Sequence, residues 1–178
     1  KVDLENKLHW RQNRRRLQAE AIRDAVLSVS GQLDAKIGGP TIKPGTTIEY
    51  GYKFEDTRRS LYTPVFRNTP LEILAVFDFA DPNLVVGERT TSSVPTQALF
   101  LMNSLEVKKH VAALAARMKK ETADDAKRLE YLWLSLLNRP ITAQEQREAA
   151  AFLKQAGEGA WSELCHALLA SNEFLMRL

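Results

Sequence analysis

The chain has 178 residues, of which 44% are apolar and 26% charged, and its net charge is +3. That is enough chain for one domain with a core or two small helical lobes, and a slight charge excess with acids beside most bases excludes the basic stripe of a dedicated nucleic-acid binder. A lone cysteine, Cys165, excludes an internal disulfide and a multi-cysteine metal site, and no apolar run reaches the roughly 18 residues of a membrane-spanning helix.

The sequence opens on Lys-Val-Asp without an initiator methionine, which reads as a piece of a longer multi-domain protein whose targeting information lies elsewhere. Residues 4–12 are expected to form a short helix with Leu4, Leu8 and Trp10 on its inner side. From Leu17 the apolar residues Leu17, Ala21, Ile22, Ala25, Val26 and Val29 recur at helical spacing, and Gly31 is placed to end that helix. Residues 38–58 concentrate glycine and proline and read as a loop. The stretches 46–54 and 59–66, rich in β-branched and aromatic residues, suit two short strands, with Pro64 confining the second to an edge or a bulge.

"TPLE" (Thr69–Glu72) has the pattern of a capped helix start, with Thr69 as cap, Pro70 first and Glu72 third, and the helix is expected to run to about Phe77. "DFADPN" breaks it. Pro95 then opens a long helical region to about Lys120, interrupted near Asn103–Ser104. Residues 124–137 form a further helix with Leu129, Leu132, Trp133, Leu136 and Leu137 on one side. "NRP" stops it, "TAQE" (Thr142–Glu145) caps another to about Gln155, "AGEG" breaks that, and helices over 160–170 and the tail close the chain.

Three stretches carry the candidate chemistry. In "NRRRLQAEAIRDAV" (Asn13–Val26), Arg16, Glu20, Arg23 and Asp24 alternate sign at helical spacing and read as a structural ion network. Glu20 is expected to pair with Arg16 or Arg23, and the helix to draw further partners from "RRSLY" and "DFADPN". Phosphate binding by Arg14, Arg15 and Arg16, or catalysis by Glu20 or Asp24, are the competing readings. The hydroxyl-rich "RTTSSVPTQALFLMN" (Arg89–Asn103) offers Arg89, Thr91, Gln97 and Asn103 either as capping and loop-satisfying groups or as a polar pocket for a sugar or an anion. "RRSLYTPVFRN" (Arg58–Asn68) interleaves Arg59 and Arg67 with Tyr62 and Phe66, a pattern of an alternating strand or of a stacking surface. His9, His110 and His166 stand apart from one another, so no metal site is expected, and Cys165 beside His166 on a helix cannot form a dyad with it.

The blocks "NRRRLQAEAIRDAVLSVSGQLD", "RRSLYTPVFRNTPLEILAVFDFADPN", "TSSVPTQALFLMNS" and "WSELCHALLASNEFL" occur in that order. Together they resemble the carboxy-terminal PSD-one domain of large planctomycete and verrucomicrobial proteins, a domain of unknown function. In such proteins it follows a c-type cytochrome-like domain and a second planctomycete-specific domain. The resemblance covers almost the whole chain and implies an extracytoplasmic parent. The haem motif Cys-x-x-Cys-His is absent from this chain. The pattern "LLNRPITAQE…F…SNEF" is also similar to helical modules of some bacterial surface and linker proteins, which points to packing or interaction.

The expectation is therefore one mainly α domain over residues 1–178, of about six to eight helices with a small two-stranded β element, divisible into sub-lobes 1–120 and 121–178. Its expected role is that of a non-enzymatic accessory domain docking onto upstream domains of its own parent, with a glycan as candidate ligand. No cofactor and no nucleic-acid partner is expected. The alternatives are a carboxylate-dependent enzyme acting on polysaccharide through Glu20, Asp24 or Asp78, and a docking partner for a cytochrome c-like domain.

Overall fold

The computed structural model describes residues 3–177. The mainly α architecture with a small antiparallel pair is as expected, with eight α-helices among the described residues. In chain order, β1 is Arg15–Arg16, α1 Ala19–Val29 and the single 3₁₀ turn η1 Ser60–Tyr62. Then come α2 Glu72–Val76, α3 Pro95–Asn103, α4 Leu105–Glu121, α5 Asp125–Leu137, α6 Ala143–Ala156, α7 Ala160–Leu169, α8 Asn172–Leu175 and β2 Met176–Arg177.

The two-stranded element is not where the β-branched runs suggested. Arg15 pairs with Arg177 and Arg16 with Met176, so the strand leading into α1 is clipped to the strand that follows α8. The stretches expected as strands are held differently. Tyr52, Phe54 and Phe66 meet edge-to-face with ring centroids 5.0–5.9 Å apart, and Ser60–Tyr62 turns as a 3₁₀ segment. Aromatic side chains there satisfy one another in a loop cluster rather than on a pleated sheet. The only pairing in this region is an isolated parallel bridge between Asp34 and Arg58.

Residues 4–12 form turns rather than a helix, and Leu4, Leu8 and Trp10 are 81%, 79% and 67% exposed. Asn6 and His9 take positive φ, and Asp3 accepts the backbone N–H groups of Lys7 and Leu8, a local geometry that competes with helix. On α1 the buried face is Ala19, Ile22, Arg23, Val26 and Leu27. Ala21 faces solvent, so the apolar stripe lies rotated from Ala21–Ala25–Val29.

The long region after Pro95 breaks at Ser104, whose ψ of 129° lies outside helical space, and resumes as α4. Asn138 ends α5 at φ 53°, the left-handed geometry that asparagine tolerates. α4 packs against α7, where the Cys165 thiol lies 3.5 Å from Met118 Sδ, and one continuous apolar cluster runs from Ala19 to Leu175.

Candidate functional site

Four polar clusters sit against this core, and each is built by side chains reaching between segments distant in sequence. The first lies along α1. Arg23, only 5% exposed, donates from Nη1 to the Arg58 carbonyl at 2.9 Å and to Ser60 Oγ at 3.3 Å, and from Nη2 to the Asp56 carbonyl at 2.5 Å. Burial pushes this guanidinium below its ordinary value, an effect that Asp24, Glu106 and Asp56 oppose. Asp24 accepts both the Ser60 N–H and the Ser60 hydroxyl at 2.7 Å, with Arg59 Nε 3.7 Å away. Glu20 does not pair with Arg16 or Arg23. Both of its oxygens accept from Arg89 Nη1, at 2.7 and 2.9 Å, and the Arg89 guanidinium lies over the Phe79 ring.

The second cluster centres on Asp78, which adopts a φ of 60°. Its carboxylate accepts from Arg16 Nη2 at 2.6 Å, from the Ser92 N–H and hydroxyl at 2.8 Å, and from Gln97 Nε2 at 3.3 Å. Burial alone would raise the Asp78 carboxyl, but Ser92, Arg16 and Gln97 together hold it below the ordinary carboxylate range. Arg16 is itself buried, with its guanidinium over the Phe77 ring, and its Nε and Nη1 have no partner among the described residues.

The third cluster closes the corner between α5 and α6. Arg139 donates to both oxygens of Glu145 at 2.7 and 2.9 Å and to both oxygens of Glu173 at 2.6 and 3.0 Å. Glu145 also accepts the Thr142 N–H and hydroxyl, completing the capping box expected from "TAQE". Hydrogen bonds from Arg139 hold both carboxyls below their ordinary range. The fourth cluster is the loop between α1 and η1, where Arg58 donates to Asp56, to the Gly38 carbonyl and to the Pro40 carbonyl.

The ligand-binding candidates are not brought together. Arg89 is taken by Glu20, and Arg59, just before η1, lies beside Asp24 of α1. Gln97 is buried, donating to the Val76 carbonyl, Asp78 and Ser92. The Tyr62 hydroxyl accepts the Gly38 N–H beneath the Arg58 guanidinium. Arg67, Thr91 and Asn103 are exposed and separate. Sequence reasoning missed Ser60 and the Arg139–Glu173 pair, and it placed Arg58 among the bases interleaved with Tyr62 and Phe66 rather than as the tie between Asp56 and the Gly38 and Pro40 carbonyls. Only the Asp56-x-Arg58 spacing offered a local signal, because Ser60 lies 36 positions from Asp24 and Glu173 lies 34 from Arg139.

Among the described residues no group of three His, Cys, Asp or Glu is placed to hold a metal. His110 Nδ1 meets Gln32 Oε1 at 2.6 Å, and burial, with Arg23 and Lys109, keeps this imidazole below its ordinary pKa. His166 Nε2 donates to the Leu101 carbonyl at 2.8 Å. Burial pushes the Cys165 thiol up to about 12. The nucleophile and base of a Cys–His pair are therefore each committed elsewhere.

The model of one protein family, described as PSD1, protein of unknown function (DUF1553), matches residues 1–153. No curated protein and no solved structure matches the chain.

Proposed function

We propose, from the premise that the chain belongs to the PSD1 family of proteins of unknown function, that it is a non-enzymatic accessory and interaction domain. Its setting is a larger extracytoplasmic protein, its partners are that protein's upstream domains, and its candidate ligand is a glycan. One observation supports this reading over a polysaccharide-cleaving enzyme. A glycosidase needs two carboxylates open to a cleft, one of them kept protonated. Here Glu20, Asp24 and Asp78 are each closed by an arginine or a serine, and Asp78 is held on the ionised side.

The interaction half of the reading is supported by the outer face of α3. Leu99 and Met102 lie one turn apart there and are exposed, and Leu105 follows just beyond the break. A face of this kind suits docking onto another domain better than solvent.

Two measurements test the reading. The chain, incubated with a panel of soluble polysaccharides, is expected to release no reducing ends above buffer. Release that disappears in Glu20→Gln would establish the enzyme instead. Mixed with the domains that precede it in its parent, the chain is expected to form a complex by sedimentation velocity, and Leu99→Asp with Met102→Asp to weaken it at least tenfold. A complex that tolerates both substitutions would remove α3 from the interface.

A further inference from the structure

The loop between α1 and η1 lines an open cavity of about 480 Å³, within the range of roughly 300–1,000 Å³ in which proteins hold small molecules. Its charged lining is balanced. Asp34, Glu55 and Asp56 supply three acids, and Lys36, Lys43 and Arg58 supply three bases, so the wall carries no net charge. Pairing reinforces this, because Lys43 Nζ lies 2.5 Å from Glu55 and Arg58 chelates Asp56. Between these groups the wall is apolar, from the Tyr52 ring, Ile42 and Pro44.

The cavity is built rather than incidental. Arg58 ties the Gly38 and Pro40 carbonyls, on one wall, to Asp56 on the other. The Tyr62 hydroxyl holds the Gly38 N–H from behind, and the Asp34 N–H bonds the Thr57 carbonyl at 3.0 Å. Buried Arg23 anchors the far wall to α1 through the Asp56 and Arg58 carbonyls. A site fixed in this way loses little entropy on binding. Gly39, at φ 87°, brings its backbone to the lip, and a Cβ there would meet Arg58 Nη1 at 3.3 Å.

The lining decides the ligand class. Anions would face three carboxylates and cations three bases. A divalent metal finds no three-ligand group among the described residues. An apolar molecule would strand the charged groups. Hydroxyl groups both donate and accept, so they satisfy carboxylate and ammonium alternately, while the C–H faces of a sugar ring pack on tyrosine, isoleucine and proline. We infer that this cavity is a binding site for a neutral oligosaccharide, with Asp34 and Lys36 as polar contacts and Tyr52 as the packing surface. The inference rests on the glycan half of the proposed function and adds a location and a charge class to it.

Isothermal titration of the full chain with cellotetraose, xylotetraose and, as the anionic comparator, trigalacturonate tests it. Binding of a neutral tetrasaccharide is expected, with trigalacturonate at least tenfold weaker. Lys36→Ala and Asp34→Asn, both at exposed positions whose substitution leaves the core untouched, are expected to weaken binding at least fivefold with unchanged melting. Tyr52→Ala, which also opens the aromatic trio, is read only if its melting transition is retained, and is then expected to weaken binding at least tenfold. Neutral-sugar binding that survives all the substitutions would overturn the location while leaving the glycan reading in place. Preference for trigalacturonate would overturn the charge class, and no binding of any of the three at millimolar concentration would overturn both.

Discussion

Arg23 and Glu20 lie nearly one turn apart on α1 and meet different fates. Arg23 is buried and its guanidinium bonds two carbonyls and a hydroxyl, so Arg23→Met leaves three acceptors short of a donor and removes the cation 3.8 Å from the Asp24 carboxylate. Removing one member of a buried charged network costs about 3–5 kcal/mol, which we expect as a fall in thermal midpoint of roughly 10 °C. Glu20 and Arg89 are 28% and 36% exposed, so Glu20→Gln is expected to cost only about 0–1 kcal/mol. Equal losses from the two variants in thermal denaturation would contradict this assignment. The sequence pattern treated the two residues alike. Interleaved charge at helical spacing was legible, but whether a charge is covered depends on which loop lands on it, and Arg58, Ser60 and Arg89 arrive from 35 to 69 positions away. Cys165 shows the opposite case, since Leu164, Leu168 and Leu169 stand close to it in the sequence, a setting that suits a core residue, and it is fully buried. Its raised thiol is expected to resist an exposed-thiol reagent at pH 8 in the native state and to label at once in denaturant. Native labelling at the rate of a free thiol would mean that the α4–α7 seam opens.

At the scale of the element, two stretches with the same capping pattern behave differently. In "TAQE" the Thr142 hydroxyl accepts the Glu145 N–H and Glu145 returns to the Thr142 N–H. In "TPLE" the helix begins later, at Glu72, with Leu71 as its cap residue, and the Thr69 hydroxyl instead points to the Glu49 carbonyl at 3.4 Å. Leu71 is buried, and seating that side chain in the core takes precedence over a cap bond. Thr142→Ala is therefore expected to cost about 1 kcal/mol and Thr69→Ala less than about 0.5 kcal/mol, measured by urea denaturation. A larger loss at Thr69 would restore the expected cap. The amphipathic helices were legible because their periodicity is long. The strands were not, because β1 and β2 are two residues each and pair the two ends of the chain. The corner that holds "TAQE" and the Asp78 cluster carry an acid response. The carboxyls of Glu145, Glu173 and Asp78 lie below their ordinary range in the folded chain, so their stabilisation is complete above the unfolded values of about 3.9–4.3 and is lost as pH falls through the depressed folded values. The thermal midpoint should fall from about pH 5 downward, and Glu145→Gln with Glu173→Gln should lower the midpoint at pH 7 while flattening that decline. An unchanged acid slope in the double variant would assign the decline to other groups.

Across the whole molecule, the family match ends at residue 153 while the core does not. α7 supplies Cys165 and Leu169 against α4, and α8 supplies Phe174 and Leu175, which are 6% exposed each. Beyond them, β2 pairs with β1, the Leu17 N–H donates to the Leu175 carbonyl at 2.8 Å, and Glu173 grips Arg139. The segments before α1 and after α8 thus close one core, and the segment leading into α1 is set by β2. The pairing of β1 with β2 was invisible in the sequence because its hydrogen bonds are between backbone groups, which no side-chain pattern encodes. Its consequence is a requirement for the terminal segment. Burying Phe174 and Leu175 stabilises the fold by about 1.5–3 kcal/mol each, against a total of roughly 5–15 kcal/mol for a domain. A chain ending at Ala170 keeps all eleven residues of α1 and all seventeen of α4 but loses both anchors, the strand pair and the Glu173 bridge. We expect it to melt at least about 10 °C lower than the full chain by circular dichroism, or to lose its cooperative transition. Retention of the full-chain midpoint would instead make residues 171–177 an appendage, and the closure of the core by β2 would then contribute nothing to folding.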